Sequence, residues 1–276
     1  MAADGGGSPM SREPDSHVED ARERAAAESD HVEGKLAAFD RFERTVRGID
    51  PVEAGTAAAA WAAGGGAVAG TPVAEQSGDD RCRRVREGFA ETVRPYSVED
   101  VAEAESVVAT IGEELGEEVA LAISPGGVGE FTPTVRGAVL SAIGDRRSEL
   151  RAMAAALERE RDSLRAAADE LDAALGAVET LGNRRLYRYG FGALRERHER
   201  LARLRERCER LARERQDLVG STTSHGAETG IRHRTLIGYL YRDLPVDHPV
   251  LATVVGFEEE CIEAQRAIRD QLTRRV

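Results

Sequence analysis

Apolar residues recur every seven positions over long stretches of this chain, and that spacing predicts helices packed side by side. From Pro133 onward, Ile143, Leu150, Leu157, Leu164, Leu171 and Val178 form one row. Met153, Ala167, Ala174 and Leu181 form part of a second row, which Glu160 interrupts. The pattern predicts one helix to about Leu181, with Thr132 as N-cap and Pro133 as its first residue. "GNRRLYRYGFG" then breaks it. A second long helix is expected from near Ala193, with Leu194, Leu201 and Cys208 in one row and Leu204, Leu211 and Leu218 in another. Two heptad helices joined by a short glycine-bounded loop predict an antiparallel hairpin.

The flanking segments are helical as well. Val18, Ala25, Val32, Phe39 and Val46 also repeat at seven, and Gly48 and Pro51 end that helix. Asp79 or Asp80 can cap a helix carrying Cys82, Val85, Phe89 and Val93. Ser97 and Asp100 match a capping box for a further helix bearing Val98, Val101, Val108, Ile111 and Leu115. His248-Pro249 opens a last helix with Val250, Val254, Phe257, Cys261, Ile268 and Leu272. The expected organisation is a disordered tail (1–14), an amphipathic helix (15–48), an Ala/Gly-rich linker (49–78), a small helical region (79–131), the hairpin (132–219) and a C-terminal helix pair (220–276). This is an all-α fold in which no segment reads as a strand.

Composition changes that picture in two ways. Aromatic residues make up only 4% of the 276 residues, so the core is expected to rest on Leu, Val and Ala. The net charge is −12, Lys35 is the only lysine, and Asn183 is the only asparagine. Abundant carboxylate with almost no lysine suggests a chain suited to molar salt, where a screening length of ~3 Å suppresses acid–acid repulsion. A GC-rich genome predicts the same bias and is compatible with it. Three cysteines without ligand spacing, and an N-terminus without signal-peptide order, point to the cytoplasm. Ala54 to Ala74 carries no charge but lacks Leu, Ile and Phe, so it is read as linker rather than membrane span.

The candidate chemistry is sparse. "RHRTLIGYLYRDLPVDHPVLATVV", from Arg232, crowds aromatics and histidines together. His233, His248, His225 and Cys261 lie too far apart for a zinc site. The stretch therefore reads as a small core locking the last two helices. Gly65 to Thr71 lacks the lysine of a phosphate loop. No nucleophile elbow or metal motif is present, so no catalytic, cofactor or metal residue is expected. Residues 184–215 hold twelve Arg and five Glu, a basic stretch that could grip nucleic acid through Arg203, Arg207 and Arg210. Glu196–Arg200, Glu199–Arg203, Glu206–Arg210 and Glu209–Arg213, all at i,i+4, instead suggest a solvated, ion-paired face. Glu99 to Glu130 holds nine acids and no base, without the order of a calcium loop.

The blocks "DRCRRVREGFAETV", "IGEELGEEVALA", "FTPTVRGAVLSA", "GFGALRERHERLARLRERCERLARERQDL" and "RHRTLIGYLYRDLPVDHPVLATVV" together resemble a family of uncharacterised proteins from halophilic archaea. The resemblance implies a salt-adapted, cytoplasmic helical protein and brings no activity with it. It also implies a second cysteine three residues after Cys261; Ala264 stands there, so no thiol-pair role carries over. The expected function is a non-enzymatic interaction or scaffold protein. Leu150, Leu157, Leu164, Leu171, Leu201, Leu204 and Leu211 would pack within the chain, against a protein partner or against a second copy. The alternative is a DNA-associated regulator using the Arg-rich helix or the C-terminal helix-turn-helix corner. An enzyme would need a pocket gathering His233, Tyr239 and His248.

Overall fold

A computed structural model describes residues 15–52, 73–97, 106–125, 130–181, 186–223 and 231–274. The fold is all-α. Its helices are α1 (Asp15–Arg47), α2 (Val73–Thr92), α3 (Val107–Leu115), α4 (Glu117–Ala122), α5 (Pro133–Leu181), α6 (Phe191–Gly220), α7 (His233–Leu240) and α8 (Pro249–Thr273). The one extended pairing among the described residues is two residues long: Thr222–Thr223 runs antiparallel to Ile231–Arg232. A ladder that short leaves no alternating pattern in the sequence. The Ala/Gly linker, with Trp61, and the Ser97–Asp100 capping box fall wholly or partly on residues outside those described.

Two compact units make up the chain, Met1–Ser29 with Ala155–Val276, and Asp30–Ala154. Their boundaries fall inside α1 and α5.

In the Asp30–Ala154 unit, Phe39, Phe42, Val46, Val85, Phe89, Ile111, Phe131, Val139 and Ile143 are fully buried. Phe42 and Phe89 meet edge to face, with centroids 5.5 Å apart. α2 starts at Val73, six residues before the expected cap, because the single glycine at position 78 costs a helix only about 1 kcal/mol. α3 is capped by Ser106, whose Oγ accepts from the Ala109 amide at 3.2 Å. Gly116, at φ 93°, turns α3 into α4, a conformation that a side chain would strain. Thr132 caps α5 as its spacing predicts, accepting from the Val135 amide at 3.3 Å.

In the other unit, α6 lies between two antiparallel neighbours. Toward α5, Arg215 meets Glu160, Arg207 meets Glu170, and Arg197 meets the carbonyls of Thr180 and Leu181. Toward α8, Arg205 meets Glu258, and the His198 carbonyl accepts from Gln265. In both series one set of numbers rises as the other falls, which fixes the opposed directions. Leu157, Leu164, Leu171, Leu194 and Leu201 are at most 1% exposed between these helices, with Phe257, Cys261 and Ile268 of α8 at 0%.

Arg197 also closes the turn between α5 and α6. Its Nη1 donates to the Thr180 and Leu181 carbonyls at 3.0 and 2.9 Å, and its guanidinium lies 3.8 Å from the Tyr189 ring centroid. These carbonyls belong to the last turn of α5 and have no partner within the helix. Replacing Arg197 with alanine is expected to lower stability by about 1–2 kcal/mol, read by chemical denaturation, because charged donors and a stacked ring are lost together.

Candidate functional site

The densest chemistry lies where both heptad rows of the α5–α6 pair are interrupted. Glu160 takes the place of an apolar residue seven after Met153. Arg215 does the same seven after Cys208. The two interruptions face each other. Arg215 donates from Nη1 to Glu160 Oε2 at 2.7 Å and from Nη2 to Oε1 at 2.6 Å, and Nη1 also reaches Ser163 Oγ at 3.1 Å. This is the two-pronged geometry that suits a guanidinium and a carboxylate.

Two residues of the aromatic–histidine stretch complete the cluster. His233, the first residue of α7, lies with Nε2 2.6 Å from Glu160 Oε2. A carboxylate only accepts, so Nε2 carries the proton. The Tyr241 hydroxyl donates to Glu160 Oε1. Glu160 and His233 are 0% exposed, Tyr241 1% and Arg215 4%. His233 Nδ1 is buried without a hydrogen-bond partner.

Electrostatics inside the cluster are fixed by this geometry. Burial alone would raise the Glu160 carboxyl, but the hydrogen bonds from His233, Arg215 and Tyr241, with the Arg215 charge, hold it down at about 2. Tyr241 moves the other way: burial and then the neighbouring carboxylate push its phenol well above its ordinary range. At neutral pH the carboxylate is therefore ionised and fully hydrogen-bonded, and the phenol is held as a donor. A carboxylate with every lone pair engaged by buried donors is poorly placed to take a proton from a substrate. The arrangement is chemically suited to fixing the register of α5 against α6 and α7, as polar residues at heptad positions do.

The remaining expected residues are dispersed. Tyr239 donates to Glu28 at 3.3 Å, and His248 is exposed as the N-cap residue of α8. His233, Tyr239 and His248 thus share no pocket. Cys82 is buried, and Cys208 and Cys261 are buried free thiols. Burial pushes Cys208 up to about 11 and Cys261 to about 12, so both stay protonated at neutral pH. Among the described residues no group of three or more His, Cys, Asp or Glu could hold a metal. Leu150, Leu157, Leu164, Leu171, Leu201 and Leu204 are buried inside the chain, and Leu211 is half-exposed. A partner reaches the six buried ones only if the helices part.

The arginines named for nucleic acid are mostly occupied. Arg207 holds both Glu170 oxygens, at 2.6 and 2.7 Å, and Arg210 lies on the Glu206 carbonyl at 3.3 Å; Arg203 is exposed. Glu196–Arg200 and Glu209–Arg213 pair at 3.4 and 3.1 Å, as their spacing predicts.

A second, partly buried ion cluster lies in the Asp30–Ala154 unit. Lys35 Nζ donates to Glu114 Oε1 at 2.5 Å, and Arg146 Nε lies 3.0 Å from Oε2. Burial would raise the Glu114 carboxyl, but Lys35 and then Arg146 carry it below its ordinary value. Lys35 occupies a heptad position on α1, in the row Ala21, Glu28, Lys35, Phe42. Among the described residues, no helix is long and apolar enough to cross a membrane. No curated protein and no solved structure matches the chain. A family model does match, over residues 16–265, nearly the whole length, and the chain belongs to that family, Domain of unknown function (DUF7260).

Proposed function

We propose that the chain is a non-enzymatic helical interaction protein, a scaffold working in the cytoplasm at high salt. The observation that carries this reading is the division of its side chains. His233, Tyr241, Cys208 and Cys261, the groups most capable of chemistry, are buried, whereas Tyr187 and Phe191 are 59% and 57% exposed. Two large rings only four positions apart in sequence are both exposed, and exposed aromatics favour contact with another molecule. The heptad rows hold the chain together internally, so partner contact falls to surfaces outside them. Free buried thiols suit a reducing compartment. The only lysine is buried, so no lysine's apolar stem lies on the surface, and plentiful carboxylates favour solubility.

The test is purification of the tagged full-length chain from its own cells at molar salt, with mass spectrometry of what accompanies it and sedimentation of the product. A stoichiometric protein partner, or a defined homo-oligomer, is the expected result. A monomer that carries no stoichiometric partner would overturn the proposal.

A further inference from the structure

We infer that the segment 186–192, which leads into α6, is a binding surface for single-stranded nucleic acid, with bases stacking on Phe191 and Tyr187 and phosphates meeting Arg188. This goes beyond the scaffold reading and does not depend on it.

Three observations carry the inference. First, aromatic residues are scarce, twelve in 276, yet Tyr187, Tyr189 and Phe191 fall within five positions, and two of them are more than half exposed. Second, the Phe191 ring is 57% exposed, and its two neighbours, Gly190 and Gly192, carry no side chain. A planar group can reach it, and every base has a planar face. Third, the surroundings are cationic in a chain of net charge −12. Arg188 lies 5.8 Å from the Tyr187 ring centroid and is exposed, and Arg197 already stacks on Tyr189 at 3.8 Å. Rings flanked by guanidinium planes are the usual equipment for holding unpaired bases. Farther along α6 the arginines are neutralised by Glu170, Glu196, Glu209 and Glu258. A duplex, which needs a long track of unpaired cations and offers no exposed base faces, is therefore disfavoured. Stacking also persists where salt weakens phosphate contacts, whereas a purely ionic grip does not.

The experiment is fluorescence anisotropy of a labelled oligothymidylate with the full-length protein, at low and at molar potassium chloride. A duplex of equal length and a polyglutamate peptide of equal charge are run beside it. Phe191→Ala and Tyr187→Ala are each expected to weaken single-strand binding by roughly 5- to 150-fold, the span for one lost stacking contact. Phe191→Trp should retain binding, and Arg188→Glu should weaken it more at low salt than at high. Leu121→Ala, at a residue 74% exposed in the Asp30–Ala154 unit, should leave it unchanged. Equal binding of duplex and single strand, indifferent to both rings, would overturn the inference. So would binding of polyglutamate alone, which assigns the surface to an acidic protein segment, or binding of none of the three.

Discussion

Replacing Glu160 with alanine is expected to destabilise its unit by ~3–5 kcal/mol, the usual cost of stranding a buried charge. The variant would leave Arg215, 4% exposed, without its carboxylate, and would remove the acceptor of both His233 and Tyr241. Arg215→Ala should also destabilise, though by less, because the carboxylate loses its charged partner but keeps the hydrogen bonds of His233 and Tyr241. The effect carries a pH signature. Glu160 has a folded value of about 2 against an ordinary 4.5, so its contribution is fully present above 4.5 and is lost as pH falls through 2. That difference amounts to roughly 3 kcal/mol at about 1.4 kcal/mol per tenfold. Chemical denaturation followed by circular dichroism should therefore show the wild-type advantage over Glu160→Ala shrinking between about pH 4.5 and 2. An advantage that stayed constant over this window would show that the carboxylate is not held by its partners.

Glu114→Ala is expected to have the next largest effect, ~3 kcal/mol in the Asp30–Ala154 unit. Arg146 would keep Glu149, at 2.7 Å, so the stranded charge is Lys35, which is 8% exposed. Lys35→Ala should cost less, because Glu114 would still hold Arg146 at 3.0 Å. Lys35→Met should cost least of the three, since its stem still fills the space without bringing a charge. Thermal unfolding of the three variants gives the order, and equal losses would show that the pairing with Glu114 does not set it.

The helices were legible because their apolar rows repeat without many exceptions, and the exceptions themselves were informative. Glu160 is visible in the sequence as a break in one row. Arg215 is a break of opposite sign in the facing row, seven after Cys208. Matching the two would have given the pairing of α5 with α6 and its register. Glu28 and Lys35 interrupt the second row of α1 in the same way, and both are buried. Spacing could not reveal that Tyr241 and His233 close on Glu160, because those contacts cross 81 and 73 residues and depend on how α7 folds back. The aromatic–histidine stretch is nonetheless core, as its crowding suggested, with His233, Leu236, Ile237, Leu240 and Tyr241 at 0–1% exposure. α2 begins at Val73, ahead of the Asp79 or Asp80 cap, because a polar residue able to cap a helix can also sit inside one. The exposed rings at positions 187 and 191 were hidden by their composition: aromatics scarce in a chain are expected inside, and only the fold shows these two outside.

Glu160 and Arg215 form a paired lock within the core, and the double variant Glu160→Leu/Arg215→Met separates the pair from its two members. A buried pair replaced by apolar residues of similar size often costs nothing, whereas each single change strands a charge. The two single variants, the double variant and the wild type are compared by chemical denaturation at neutral pH. The double variant is expected to recover the part of each single loss that comes from the stranded charge, though not the part that comes from leaving His233 and Tyr241 without an acceptor, with a coupling of ~2 kcal/mol or more. Losses that simply add would contradict it, because independent residues do not form a lock.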